Sequence, residues 1–319
     1  MRKSWVLWRP KPPSKKIANS GLKILIILNS ISRKKKKFYH ELLPVLQRHF
    51  QVTVFETQYA GHAKVLAQDL ASQYDVMLAA GGDGTLNQVL NGMMTGATEP
   101  RPSLGIIPLG TGNDFARMFN IKATGEHIVS RLQQKSFPST DVGCIETVNE
   151  QGVPVKKYFI NVCSLGMGPE VVTRLSKSNR SLGPTLTYLK AITQTFFTHR
   201  PQPVQVTADN WSWSGWARVV GIANGKSFGN GMYIAPDAEV NDGLFSTFIA
   251  SDLPLFKFLL YLQTIKSGKI LRDSKIAYQT ASAISLSSSQ PTPIEAEGEL
   301  QGWLPAKIFI QAGAVKFVR

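Results

Sequence analysis

In Lys23–Leu28 (KILIIL) the apolar run Ile24–Leu28 is unbroken and stops at Asn29-Ser30, the pattern of a strand buried on both faces of a parallel sheet. The period then lengthens to that of a helix, with Phe38, Leu42, Val45 and Leu46 on one side. Val52–Phe55 predicts a second strand and Ala63–Tyr74 a second helix. Val76–Ala80 predicts a third strand, Leu86–Met94 a helix, Leu104–Ile107 a fourth strand, and Asp114–Met118 opens another helix. Such β-α alternation predicts a doubly wound, mostly parallel sheet that binds ligands at the carboxyl ends of its strands.

After about residue 137 the pattern changes to short alternating runs: Phe159–Val162, Val204–Thr207, Arg218–Ala223, Leu244–Ala250 and Ala283–Leu286. Asn224-Gly225, Asn230-Gly231 and Asp242-Gly243 are turn signals between them, which predicts an antiparallel sandwich or barrel. Helices are expected at Thr185–Phe197 and Leu255–Lys266. The predicted boundaries are an arm at 1–20, an α/β domain at 21–136 and a β-rich domain at 137–308. Residues 309–319 form a hairpin or return to the α/β domain.

Charge refines this picture. The chain has 319 residues and a net charge of +15, but residues 1–40 hold 12 Lys/Arg and no Asp or Glu. The remainder is close to neutral, so the N-terminus is a basic arm. Trp5 and Trp8 beside Arg2, Lys3 and Arg9 favour contact with an anionic membrane surface over nucleic acid, with a solvated tail as the alternative. No apolar run reaches the ~18–20 residues of a membrane span, and no cleavable signal is evident. Cys144 and Cys163 have no metal spacing, and the five histidines form no HExxH cluster. The expected location is cytoplasmic and peripherally membrane-associated.

The chemistry lies in two glycine-rich turns. Gly81-Gly82-Asp83-Gly84-Thr85 follows the third strand, and Gly110-Thr111-Gly112-Asn113-Asp114 follows the fourth. Glycines permit close approach of a phosphate, and the helix that follows each turn presents free amides to an anion. Asp83 suits a Mg2+ ligand, usually through water, or an anchor for the loop. One such turn is compatible with a ligand-free βα connection; two from nearby strands point to a shared anion. No G-x-G-x-x-G is present, and Gly221–Ser227 falls one residue short of a Walker A loop, so it reads as a hairpin turn.

GGDGTLNQVLNG at Gly81–Gly92 and LGIIPLGTGNDFAR at Leu104–Arg117 resemble the catalytic domain of the diacylglycerol kinase family, specifically the bacterial soluble YegS-like lipid kinases. DVG at Asp141–Gly143, YFINVCSLGMG at Tyr158–Gly168 and IANGKSFGNGMYIAPDAEVNDGLFSTFI at Ile222–Ile249 fit the same family. GGDGT alone is shared with NAD kinases; the second turn separates them. The resemblance implies an NAD kinase/diacylglycerol kinase-like α/β domain that binds nucleotide, and a β-rich domain that receives the lipid.

It further implies ATP contacts at Asn29, Thr57, Gly81, Gly82, Asp83, Gly84, Thr85, Leu86, Asn87 and Thr111, with Asp83 and Asp114 in the network that organises Mg2+. A Mg2+ site is implied at Asp242, with backbone carbonyls of Glu239 and Leu244. Glu299 is implied as the proton acceptor, in the triplet Glu297-Gly298-Glu299 where the family has Asp-Gly-Glu. The family's Asn-Pro after the first strand is here Asn29-Ser30. The function implied is ATP-dependent phosphorylation of a lipid alcohol, diacylglycerol first. Sphingoid base, ceramide or monoacylglycerol, then NAD, then a non-catalytic binding role are the alternatives. Leu255-Phe256, Phe258-Leu259 and Phe196-Phe197 are candidates for an apolar wall along acyl chains, with plain core as the alternative. A homodimer is among the assemblies left open.

Overall fold

The computed structural model describes residues 21–96, 100–134, 136–178 and 183–319. The basic arm at 1–20, with Trp5 and Trp8, lies outside the described residues. The chain divides into two compact units, one running to Ser139 and including Val315–Arg319, the other Thr140–Ala314.

The first unit is a four-stranded parallel sheet in the order β2-β1-β3-β4, from β1 (Lys23–Leu28), β2 (Gln51–Glu56), β3 (Val76–Gly81) and β4 (Ser103–Pro108). Residues Ile24–Leu28 and all of β3 and β4 are buried, which is why they read as continuous apolar runs. The chain order reverses between β1 and β3, the switch point at which open α/β sheets bind ligands. Lys35–Lys37 (α1), a π-helical turn at Phe38–Leu42 and Leu43–Gln47 (α2) carry the first helical pattern and bury Phe38, Leu42 and Leu46. The remaining helices are α3 (His62–Leu70), α4 (Asp83–Thr95), α5 (Asp114–Met118) and α6 (Gly125–Leu132). Helix α4 begins three residues before the predicted start, so Asp83, Gly84 and Thr85 form its first turn. The C-terminal residues close the unit: Phe317 bridges Leu104 and packs edge-on against Phe115 of α5, with ring centroids 5.0 Å apart.

The second unit is one ten-stranded sheet, antiparallel in its pairings. It comprises β5 (Ser139–Val148), β6 (Pro154–Phe159), β7 (Val162–Gly166), β8 (Gln202–Ala208), β9 (Ser212–Ala223), β10 (Phe245–Ser251), β11 (Ile276–Ala281), β12 (Ala283–Ser288), β13 (Pro293–Ala296) and β14 (Glu299–Lys316). The path β9-β7-β13-β14-β12-β8 returns to β9, so the sheet folds back around a core that includes Phe159, Val220, Phe245, Ile284, Ile294 and Ile308. Three helices, α7 (Met167–Lys177), α8 (Pro184–Thr198) and α9 (Leu255–Lys266), complete the unit. They pack over a second core with Val162, Ala223, Ile234 and Phe248.

Two expectations change. The strand predicted at Phe159–Val162 is broken at Ile160-Asn161, where β6 ends and β7 begins. Gly221–Ser227 is no tight hairpin, because β9 and β10 are joined by the long segment from Asn224 to Leu244. Of the two alternatives for the tail the return holds: β14 runs as one strand to Lys316, and Val315–Arg319 belong to the first unit. Among the described residues no helix is long and apolar enough to cross a membrane.

Candidate active site

In the first unit, parallel pairing in register places Leu28 beside Glu56 and Ala80, and Gly81 beside Pro108. All four strands therefore end on one rim, which carries Asn29, Thr57 and both glycine turns. Asn29 donates its backbone N–H to Ala80 (2.9 Å) and its Nδ2 to Thr85 Oγ1 (3.3 Å), spanning the switch point. Thr57 Oγ1 accepts the Ser30 N–H at 3.2 Å. A proline at position 30 could not donate that bond, so Ser30 adds a tie that the family's Asn-Pro lacks.

The two turns are held against each other through backbone. The N–H groups of Leu109 and Gly110 both donate to the Gly81 carbonyl, at 2.9 and 3.0 Å. A Cβ on Gly110 would stand 2.5 Å from Gly82 Cα, so only glycine allows this approach. Asn113, at φ +53°, brackets the turn: its Oδ1 accepts the Gly110 N–H and its Nδ2 donates to the Gly110 carbonyl.

Asp83 links the turns as well. Its carboxylate accepts the N–H groups of Asp114 (3.1 Å) and Phe115 (3.2 Å), capping α5 across the rim. Burial raises its pKa, the neighbouring Asp114 adds to this, and the backbone amides oppose it. Arg117 pairs with Asp114 (3.1 Å) and donates to the Gly112 carbonyl (2.7 Å), neutralising part of that acidic pair. Leu86 and Asn87 sit differently from the other predicted contacts. Both side chains are buried, and the Asn87 carboxamide oxygen accepts from Asn91. What α4 offers an anion is the very start of its backbone, ahead of the Thr85 and Leu86 N–H groups that already donate to the Gly82 carbonyl.

In the second unit, Glu299 is the first residue of β14 and is exposed. It pairs with Ala296 of β13 across the two-residue turn Glu297-Gly298. Both turn residues have positive φ (+55° and +78°), the type I′ geometry that favours Asn-Gly or Asp-Gly. Glu297 is held there by its side chain: Oε1 accepts the N–H groups of Ile160 (3.0 Å) and Asn161 (2.6 Å), at the break between β6 and β7. Its longer arm therefore serves as a brace.

The brace continues through residues that sequence reasoning missed. Asn161 Nδ2 donates to the Ser227 carbonyl, and Asn224 Nδ2 donates to the carbonyls of Ile160 and Asp141. The Asp141 carboxylate accepts the N–H groups of Gly243 (2.8 Å) and Gly313 (2.6 Å). The Asp242-Gly243 turn and the Glu297-Gly298 turn thus share one frame. Asp141 lies in the quoted DVG motif, and a buried Asp in a strand was the available signal.

Asp242 and Glu239 are exposed, and Asp242 Oδ1 accepts the Leu244 N–H at 3.0 Å. Among the described residues no three His, Cys, Asp or Glu side chains group around one point. The oxygen donors of this turn, one carboxylate and two carbonyls, fit a hard cation in kind, with water completing the shell.

Glu295, also missed, is fully buried on β13. It accepts from the Ser164 hydroxyl and from the Gly298 N–H (3.1 Å), and burial pushes its pKa up to about 7. Between pH 4.5 and 7 the folded chain keeps a proton that the unfolded chain has released, so stability falls as pH rises through that window. The effect is bounded at roughly 3 kcal/mol and is complete above pH 7. Glu295→Gln should therefore gain stability relative to the parent as pH rises from 5 to 8. Urea unfolding at both pH values measures this; a pH-independent difference would refute the buried titration.

Strand ends that join two glycine turns on one rim are the arrangement in which open α/β sheets commonly hold a phosphate-bearing ligand. Comparison with known proteins agrees and narrows the class. Residues 23–145 match the diacylglycerol kinase catalytic domain, and residues 161–319 match the YegS C-terminal NAD kinase beta sandwich-like domain. The diacylglycerol kinase of Bacillus subtilis (strain 168) is 30% identical over 288 residues, 88% of this chain and 91% of that one. That of Staphylococcus saprophyticus is 31% identical over 291 residues, covering 88% and 90%. A solved diacylglycerol kinase structure from Bacillus anthracis str. Sterne superposes with a TM-score of 0.69 at 21% identity, covering 93% and 96%, and shares the fold. The chain belongs to the diacylglycerol kinase family, with the YegS-type C-terminal domain.

Proposed function

We propose that this chain is an ATP- and Mg2+-dependent lipid kinase that phosphorylates diacylglycerol to phosphatidic acid. The observation that carries the reading is the backbone contact between the two glycine turns, which joins two separate loops into one rim. Family membership and the names of the relatives support the same activity.

Phosphoryl transfer depends on positioning and charge neutralisation more than on covalent chemistry. The amides at the very start of α4, with Thr111 and the Asn29–Thr85 pair, hold the ATP phosphates. Asp83 and Asp114 keep the second turn in place against the first. Mg2+, when bound, neutralises charge on the phosphates, and Asp242 with the carbonyls of Glu239 and Leu244 is the oxygen set in the second unit that would hold a cation. Glu299 takes the proton as the lipid hydroxyl oxygen bonds to the γ-phosphorus and the bond from that phosphorus to ADP breaks. Glu299 lies exposed at the start of β14, and a general base must come within about 3 Å of the proton it takes.

The test is transfer from γ-labelled ATP with Mg2+ in mixed micelles of diacylglycerol, monoacylglycerol, ceramide or sphingoid base, with NAD in a parallel tube. The expected product is labelled phosphatidic acid. Label confined to NADP, or to no acceptor at all, would reject the lipid kinase reading; label in another lipid would reassign the acceptor.

A further inference from the structure

Helices α8 and α9 are amphipathic in an unusual sense, because both faces carry apolar side chains. Their inner faces supply Tyr188, Ala191 and Ile192, and Phe258, Leu262 and Ile265, to the second core. The helices meet where Phe196 packs on Phe258, with ring centroids 4.4 Å apart. Arg218 fixes that joint, lying 4.2 Å over the Phe196 ring while pairing with Asp252. Phe196 and Phe258 are thus core.

The outer faces are different. Leu186, Leu189 and Phe197 of α8 are exposed, as are Phe256, Leu259 and Leu260 of α9, with Phe197, Phe256 and Leu260 each more than 60% exposed. The spacing of 186, 189 and 197, and of 256, 259 and 260, places each set on one side of its helix. A soluble helix normally turns polar groups outward, so these faces are built to be covered.

Charge identifies the cover. No Asp or Glu occurs between Glu170 and Asp209 or between Asp252 and Asp273, and Lys190, Lys266, Lys269 and Arg272 are exposed around the apolar residues. The carboxylates that reach these helices from outside, Glu170, Asp252 and Asp273, are each paired with a cation (Arg174, Arg218 and Lys257). The surplus charge beside the apolar faces is therefore positive and matches the acyl boundary and anionic headgroups of a bilayer. A symmetric dimer through the same faces would set these cations against their own copies.

We propose that α8 and α9 form the membrane-docking surface of this protein, and that they bind anionic lipid bilayers through Phe197, Phe256 and Leu260 with the surrounding lysines. The inference rests on the lipid kinase reading, since a bilayer holds that substrate. It places docking in the second unit, in addition to the basic arm expected from sequence.

The full chain is sedimented with vesicles of equimolar phosphatidylcholine and phosphatidylglycerol, beside the triple variant Phe197→Ser, Phe256→Ser, Leu260→Ser and the charge variant Lys190→Glu, Lys266→Glu, Lys269→Glu. Each variant should lower vesicle affinity by about tenfold or more. Unfolding temperature and ATP affinity should stay near the parent values, which keeps misfolding separate from lost docking. Parent-like vesicle binding by both variants would overturn the proposal. So would a parent dimer, seen by light scattering, that the triple variant dissolves. Phosphate transfer by the parent to dioctanoylglycerol is scored separately: its absence would remove the kinase reading, while the vesicle result would still judge the surface.

Discussion

Gly110→Ala should weaken ATP binding and slow phosphoryl transfer by about a hundredfold, the scale of rate loss that a displacement near 1 Å produces in a positioned site. The added Cβ would lie 2.5 Å from Gly82 Cα and 2.9 Å from Gly82 N. Both neighbours are backbone, so no rotamer change relieves the clash. The turns must separate, which strains the two N–H bonds to the Gly81 carbonyl and shifts the cap that Asp83 makes on α5. Gly82→Ala is the informative contrast. Its Cβ would meet Gly110 Cα at 3.4 Å, and its φ of −105° suits any residue, so its loss of thermal stability should be smaller. Titration calorimetry with ATP and melting curves measure the pair. Parent-like ATP affinity in Gly110→Ala would show that the contact between the turns does not shape the phosphate site.

Glu299→Gln should lower kcat by roughly 10²–10⁴-fold, the range assigned to a positioned general base, with ATP affinity unchanged. The substitution keeps size and removes only the capacity to take a proton. Glu297→Gln is a different experiment on the same hairpin. The Glu297 carboxylate is already occupied by the amides of Ile160 and Asn161, so its loss should appear first in stability. This division explains how the family's Asp-Gly-Glu can be Glu-Gly-Glu here. The first acid braces the turn, and the longer side chain meets the backbone at the β6–β7 break. Steady-state kinetics with dioctanoylglycerol separates the two roles, and a kcat for Glu299→Gln within twofold of the parent would end its assignment as base.

The first unit was largely legible in the sequence because β1, β3 and β4 are buried on both faces and read as apolar runs. The glycine turns were visible from composition alone, and at Gly110 the reason is physical: a Cβ there would meet the backbone of Gly82. The start of α4 was misplaced because Asp83-Gly84-Thr85 has turn composition although it is helical. Periodicity also joined Phe159 to Val162, since the break at Ile160-Asn161 lies between buried residues and is held by a carboxylate distant in sequence. Glu295 escaped notice for the complementary reason. In an alternating strand a Glu marks the solvent side, whereas β13 is paired on both edges and buries Ile294, Glu295 and Ala296 in succession. Asp141 and Asn224 carry no catalytic signature, because their partners are backbone groups of turns far along the chain. The sequence pattern pointed to the glycine turns and the Glu-Gly-Glu hairpin more readily than to the buried groups that brace them.

Single-turnover transfer tests the central claim most directly. Enzyme in excess over γ-labelled ATP is mixed with Mg2+ and dioctanoylglycerol, beside the Glu299→Gln variant. The parent should move the label into phosphatidic acid in step with the appearance of ADP, and the variant should bind ATP but retain the label on it. Label that reaches lipid equally fast in both, or ADP formed with no labelled lipid, would contradict the account.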